Sequence, residues 1–384
     1  MRSAALVYTP RFASYDLGPS HPLRPQRVKR TYELIRACGL LEGGRARVER
    51  PAPAGDDLLA LVHAPEYIEA VRAPGEGRPV RRPFGFGLGT VDNPIVGNMF
   101  EAAALVVGGS VLAADLVMDG KVSAAFNPSG GLHHAHRARA AGFCIFNDAA
   151  IAIAHIANRG GEGVRIAYVD IDAHHGDGVQ EAFYDRRDVL TISVHESGRY
   201  LFPGTGGVDE IGEGEGEGFS VNLPLSPHTG DEVYLWAFRE VVGPLLDAFE
   251  PDFVVSQLGV DTHYRDPLTH MCLTTRGYAA VVAEIAPRAE RWIALGGGGY
   301  DITVAPRAWT LAFAHMLEAE APEHIPESQA DHYRCEVGAG EPVPLHDAGA
   351  PAVDEDWARI AREVAEEVVE EVKHSVFPHH GIRA

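Results

Sequence analysis

The stretch Arg165-Ile-Ala-Tyr-Val-Asp-Ile-Asp-Ala-His-His-Gly-Asp-Gly178 sets three acids and two histidines directly on the end of an apolar, β-branched run. Residues 166–171 have the composition of a strand buried on both faces. Alternate residues of an extended chain point the same way, so Asp172 and His174 can reach one point together. A carboxylate and an imidazole at the mouth of a strand suit a divalent transition metal, zinc above all. The competing pattern is an EF-hand loop, whose positions 1, 3 and 12 coincide with Asp170, Asp172 and Glu181. Its sixth position needs glycine and holds His175, its fifth is His174, and a strand precedes it where a helix should. A satisfied core histidine accounts for one His but not for two beside three acids, because unpaired acids are rarely buried.

Other stretches carry chemistry-bearing types. Residues 127–148 form a glycine-rich segment with His133 and His134 after two glycines, then Gly142-Phe143-Cys-Ile-Phe-Asn-Asp. A second strand, 253–258, also ends in an acid, within Gly259-Val260-Asp261-Thr-His263-Tyr-Arg-Asp266-Pro. A third, 292–295, runs into four glycines and Tyr300. That glycine run is neither a P-loop, for no Gly-Lys-Ser/Thr follows, nor a dinucleotide fingerprint. The alternating Gly and Glu of 212–218 read as a solvated turn without chemistry.

These residues need a scaffold. Hydrophobic periodicity predicts helices at 26–38, 62–73, 99–118, 149–158, 179–184, 231–249, 275–290 and 306–318. Strands are predicted at 6–8, 166–171, 189–194, 253–258 and 292–295. Alternating strands and helices mean an α/β protein with a largely parallel sheet, and such sheets bind ligands beyond the carboxyl ends of their strands. The unusual residues fall there. Residues 74–94 form a long surface loop containing Asp92. The domain division expected is a catalytic domain over 1–320 and a C-terminal extension over 321–384 with an acidic helix at 354–373.

Composition bounds the partners. The 384 residues are 46% hydrophobic, and 54 acids against 33 bases give a net charge of −21. That balance argues against nucleic acid and is compatible with a cationic or lysine-bearing substrate. Four separated cysteines without a CxxC read as free thiols of a reducing cytoplasm. The opening residues are too short an apolar run for a signal peptide, and no stretch is expected to reach the ~20 apolar residues of a membrane span.

Taken together and in order from about residue 4 to 320, these motifs resemble the zinc-dependent histone deacetylase family. The Phe202-Pro-Gly-Thr-Gly segment belongs to the same set. Arg199-Tyr-Leu-Phe-Pro-Gly-Thr-Gly, Tyr-Arg-Asp-Pro-Leu268-Thr-His270 and Val304-Ala-Pro-Arg-Ala-Trp are similar to its bacterial acetoin-utilization branch. The resemblance implies the arginase/deacetylase fold, an eight-stranded parallel sheet between helices. It implies Asp172, His174 and Asp261 as zinc ligands, and His133 and His134 as the paired histidines facing the attacking water. Asp170 and Asp177 would be their carboxylate partners and Tyr300 the hydroxyl donor to the oxyanion. Phe143, Phe202 and Leu268 would line the acyl-lysine site, with the Gly142 carbonyl on the substrate amide and Asp92 at the rim. Arg27 would stand near an internal acetate channel. A structural potassium would bind at Asp170, Asp172 and His174 with Ser193 and Val194; a second is in doubt because Leu223 stands where the family often has Tyr. The implied activity is removal of acetyl or other acyl groups from lysines of proteins, with acyl-CoA synthetases the first candidates. The alternatives are an acetylpolyamine amidohydrolase and a silent acyl-lysine-binding protein. A ureohydrolase on the same fold wants a second acid two residues after Asp261, where His263 stands.

Overall fold

The computed structural model describes residues 2–334, 341–347, 349 and 351–383. Eight strands form one sheet: β1 (Ala4–Val7), β2 (Ala46–Glu49), β3 (Ala124–Asn127), β4 (Ile166–Asp170), β5 (Val189–Glu196), β6 (Ser220–Leu225), β7 (Phe253–Gln257) and β8 (Trp292–Leu295). Their order is β2-β1-β3-β8-β7-β4-β5-β6, and every pair is parallel. The helices are α1 (Gln26–Ala37), α2 (Asp56–Leu59), α3 (Pro65–Arg72), α4 (Met99–Met118), α5 (Asp148–Gly160), α6 (Asp177–Phe183), α7 (Asp231–Phe249), α8 (Thr275–Ile285), α9 (Ala305–Met316), α10 (Glu327–Ala330) and α11 (Glu355–Val376).

Burial explains the patterning. The central strands β4, β7 and β8 have neighbours on both sides and helices over both faces, so every residue in them is buried and the sequence runs apolar without alternation. Parallel register then brings Asn127, Asp170, Gln257 and Leu295 to one edge of the sheet, since Asp170 pairs with Gln257 and Gln257 with Leu295. Three strands were not visible in the sequence pattern. β2 lies at an edge and is half exposed, β3 has four residues, and β6 carries Pro224, which an edge strand tolerates.

Three expectations are corrected. α4 is 20 residues long and apolar enough to cross a membrane, so a stretch of that length does exist; most of it is buried in the core. The 212–218 turn is not simply solvated. Gly216 and Gly218 are buried, and the Gly218 carbonyl accepts a hydrogen bond from His380 Nε2 at 2.8 Å. The helix predicted over 275–290 ends at Ile285 and continues as a 3-10 turn at Ala286–Arg288. Cys38, Cys144 and Cys272 are free, and Cys335 lies outside the described residues.

The chain after residue 320 is bound in at two places. Ile325, Tyr333, Val343 and Leu345 form a buried cluster with Leu34 and Leu311. α11 lays Val368, Val369, Val372 and Val376 into the main core, while the Arg362 guanidinium stacks 4.0 Å over Trp236 of α7.

Candidate metal centre and active site

The loop after β4 is held by its own acids. Asp170 Oδ1 accepts from the Asp172 amide (3.0 Å), and Asp172 Oδ1 accepts from the His174 amide (3.0 Å). These turns swing Asp172 and His174 toward Asp261, which arrives on the loop after β7 and accepts from the Ala173 amide at 2.8 Å. Ligand atoms of the three side chains lie within 4.8 Å of one another, and all three residues are buried. His174 Nδ1 stands 3.0 Å from Asp172 Oδ1 and 3.1 Å from Asp261 Oδ2.

This donor set fits a divalent cation. Burial disfavours charge on His174, yet Asp172 and Asp261 outweigh it and hold its pKa well above the usual value. A proton on Nδ1 thus stands where a metal would neutralise two buried carboxylates. Asp261 is pushed up to about 6, first by burial and then by Asp172. The second Asp172 oxygen is taken by Gln257 Nε2 and the Gly298 amide, both at 2.7 Å. A Cβ at Gly298 would fall 1.9 Å from Asp261 Oδ2, so the glycine run after β8 is there to let the backbone close over the acids.

Beside this cluster the two histidine rings stand 4.0 Å apart, with their Nε2 atoms at 3.0 Å. His133 Nδ1 donates to Asp170 Oδ2 (2.8 Å), which also accepts from the Tyr168 hydroxyl (2.7 Å). His134 Nδ1 donates to Asp177 Oδ1 at 2.7 Å. Their environments drive them apart. Burial opposes charge on His133, but Asp170 and Asp172 prevail and raise its pKa to about 9. Burial and then the charge on His133 push His134 down to about 4. The two rings are thus pushed in opposite directions, His133 toward the charged form and His134 toward the neutral one, as in an acid–base pair.

Aromatic rings wall the approach. Phe202 packs edge-on to His134 at 4.9 Å and Phe143 edge-on to Tyr300 at 5.7 Å. Gly142 has φ +49, and a Cβ there would lie 2.3 Å from the His134 ring. Phe143 itself has φ +68, an uncommon conformation for a non-glycine residue. Asp92 is exposed and joins Gly142 and Phe202 on the lining of a groove of about 720 Å³. Burial, then Asp261 and Asp172, push the Tyr300 phenol well above its ordinary range, which keeps it a hydroxyl donor. Arg27 is buried behind it and donates to the Gly299 carbonyl at 3.0 Å. Leu268 is half-buried, its amide held by Asp266 Oδ1 at 3.0 Å. Ser193 Oγ meets His195 Nδ1 at 2.9 Å, and the Val194 carbonyl accepts from the Tyr234 hydroxyl at 3.0 Å.

Three groups escaped the sequence reading. Gln257 closes an apolar strand and gave no sign of gripping Asp172. Asp266 was visible in its motif without a role. Its Oδ2 accepts from the Tyr300 amide at 2.8 Å, and burial, then Asp261, push its pKa up to about 8. His136 is the third.

Residues 21–316 match the histone deacetylase domain. The chain is 44% identical over 333 residues to the acetoin utilization protein AcuC of Bacillus subtilis, covering 85% of each. It is 39% identical over 321 residues to AcuC of Staphylococcus aureus strain MSSA476, covering 82% of each.

The chain belongs to the histone deacetylase family, in its AcuC-like branch.

Structural likeness agrees with this. The crystal structure of a histone deacetylase homologue from Aquifex aeolicus superposes with a TM-score of 0.84 at 30% identity, over 96% of this chain and 100% of that one. A structure of a histone deacetylase homologue complexed with SAHA gives the same figures. The all-parallel, eight-stranded sheet of this deacetylase-family chain is thus the arginase/deacetylase fold.

Proposed function

We propose that this deacetylase-family chain hydrolyses acyl groups from lysine side chains of proteins, using zinc held by Asp172, His174 and Asp261. The observation that carries the reading is the juxtaposition of that buried donor set with two carboxylate-backed histidines whose Nε2 atoms are 3.0 Å apart, beneath two aromatic walls. Zinc bound there supplies Lewis-acid polarisation of the acyl carbonyl and acidifies its water. Three protein ligands leave room for both, as catalytic sites require.

The chain's own residues do the rest. The neutral His134 takes the proton of the attacking water on Nε2, while Asp177 on Nδ1 holds the tautomer and steadies the cation that forms. His134 then returns the proton to the leaving lysine amine. His133, held cationic by Asp170, lends positive charge beside the reacting carbon. The Tyr300 hydroxyl donates to the developing oxyanion. Phe143 and Phe202 take the apolar lysine stem, the Gly142 carbonyl accepts from the amide, and Leu268 lies along the same passage. Asp92 grips substrate backbone, and Arg27 attends the path by which acetate leaves. A structural potassium at the Asp170, Asp172 and His174 carbonyls with Ser193 and Val194 completes the proposal.

The acetoin-utilization name of its relatives favours a metabolic protein as substrate, with acyl-CoA synthetases the first candidates. An acetylpolyamine is the second reading, favoured only by the net charge of −21. A panel of acyl-lysine peptides and acetylpolyamines decides between them. Acetyl-lysine peptide should be turned over with the higher kcat/KM; a preference for acetylspermidine overturns the protein substrate and leaves the hydrolase chemistry standing.

A further inference from the structure

Besides His134, one more imidazole reaches Asp177. His134 Nδ1 takes Oδ1 of that carboxylate, and His136 Nε2 lies 3.3 Å from Oδ2. On its other side, His136 Nδ1 donates to Glu181. Asp177 and Glu181 stand four residues apart on α6, so both acids face the same imidazole. A tight turn fixes the backbone there, with the His136 amide donating to the Arg139 carbonyl at 2.8 Å. The His136 side chain is 13% exposed and that of Glu181 is 55% exposed, so the series His134–Asp177–His136–Glu181 runs from the site to solvent. Arg139 lines the same groove and is a further cation near Glu181, with Arg137 and Arg186 on a neighbouring cavity that Glu181 also lines.

The arrangement has a consequence for catalysis. Burial alone would favour a neutral Asp177, but His134 and His136 together hold it ionised, well below the usual carboxylate range. With Oδ1 held by His134, the His136 Nε2 position 3.3 Å from Oδ2 adds an electrostatic restraint on the same carboxylate without a formed hydrogen bond. The Asp177 and Glu181 carboxylates in turn raise His136 to about 9, against its burial. We propose that His136 is a positioning residue for the reaction, acting through Asp177 to fix the orientation and hydrogen bonding of His134, with Glu181 anchoring it from the solvent side. The inference rests on the deacylase reading above for its kinetic arm only.

Two readouts test it on the full-length, zinc-loaded protein. With an acetyl-lysine peptide, His136→Gln should lower kcat by roughly tenfold with KM within about twofold, as expected when support behind a catalytic histidine is lost. His136→Lys restores a cation facing both acids and should recover most of kcat. Independently of activity, proton NMR should show a low-field imidazole N–H resonance that Asp177→Asn abolishes. That resonance should shift in His136→Gln and return toward its place in His136→Lys. Absence of any deacylation by the wild type sinks the functional reading, and the NMR arm then decides this one. An unshifted resonance in His136→Gln, or a lysine variant no better than the glutamine one, overturns the proposal. If His136→Gln does not fold, Glu181→Gln on its exposed side chain takes its place: a fall in kcat of at least about twofold supports the role and an unchanged kcat overturns it.

Discussion

Asp347 Oδ2 lies 2.9 Å from His263 Nε2, joining residues 84 positions apart. The same oxygen accepts from the Thr275 amide at 2.7 Å, and Oδ1 takes Arg307 Nη2 at 2.9 Å. Asp347, His263 and Arg307 are all buried. One carboxylate from the C-terminal segment thus clamps the loop that carries Asp261 and the first turn of α9, just beyond Tyr300. Asp347→Ala removes a carboxylate shared by the buried Arg307 guanidinium, His263 and the Thr275 amide, and should destabilise the fold. Its melting temperature should fall, and a chelator should strip its metal at lower concentration than from the wild type. An unchanged melting temperature would show that the clamp is dispensable.

Asp261 comes from a different strand than Asp172 and His174, so it closes the metal cluster in space. Asp261→Ala should lose most bound zinc and nearly all activity while circular dichroism stays native. Full zinc occupancy by elemental analysis would remove Asp261 from the ligand set.

Tyr300 is kept a neutral phenol beside the cluster. A donor that acts mainly on the transition state governs kcat more than KM. Tyr300→Phe should therefore lower kcat by roughly 10²–10³-fold with little change in KM. A single-turnover rate within about threefold of wild type assigns the hydroxyl another role.

His63 ties the histidine loop to the core. Its Nε2 accepts from the Asn147 amide at 2.9 Å, and the Asn147 side chain donates to the carbonyls of His133 and Ala135. Burial lowers its pKa from 6.5 to about 4. Well above pH 6.5 it is neutral in both folded and unfolded chains and contributes no pH dependence. As pH falls from 6.5 toward 4 the unfolded chain takes up the proton first, so stability is lost, by up to about 3 kcal/mol. His63→Gln keeps an acceptor without a titrating group. Denaturant titrations at several pH values should show a shallower acid loss in that variant, and equal slopes would exclude His63 as the source.

What the sequence made legible followed chemical necessity. Asp172, His174, Asp261 and the His133–His134 pair are residue types that a buried strand end does not collect without a use, and parallel register brings them together. The long helices matched because their apolar periodicity is set by the layers they cover; α7 falls on the expected residues. The short edge strands β2 and β6 and the four-residue β3 were hidden, since half-exposed or very short strands have no period to read. His136, Gln257 and Asp347 were hidden for another reason. Each acts through one partner distant in sequence, and nothing in a local pattern names that partner.

Asp92 bears on what kind of substrate enters. It is exposed on a long loop, its own carbonyl accepts from His21 Nε2 at 3.2 Å, and its carboxylate lines the groove outside Phe202 and Gly142. A carboxylate at that rim can accept two backbone N–H groups of an extended peptide at the fixed spacing of adjacent amides, which the ammonium donors of a polyamine do not reproduce. It can also attract a polyamine as a simple counter-charge, so attraction alone does not discriminate. The difference lies in geometry. Asp92→Ala should reduce kcat/KM for an acetyl-lysine peptide by roughly tenfold or more, the cost of losing charged hydrogen bonds worth about 1.5–3 kcal/mol. It should change the rate on a small acetyl-lysine analogue without backbone amides by less than about twofold. Equal losses on both substrates would mean that Asp92 acts on the site's charge or on its loop, and that the peptide backbone is held elsewhere.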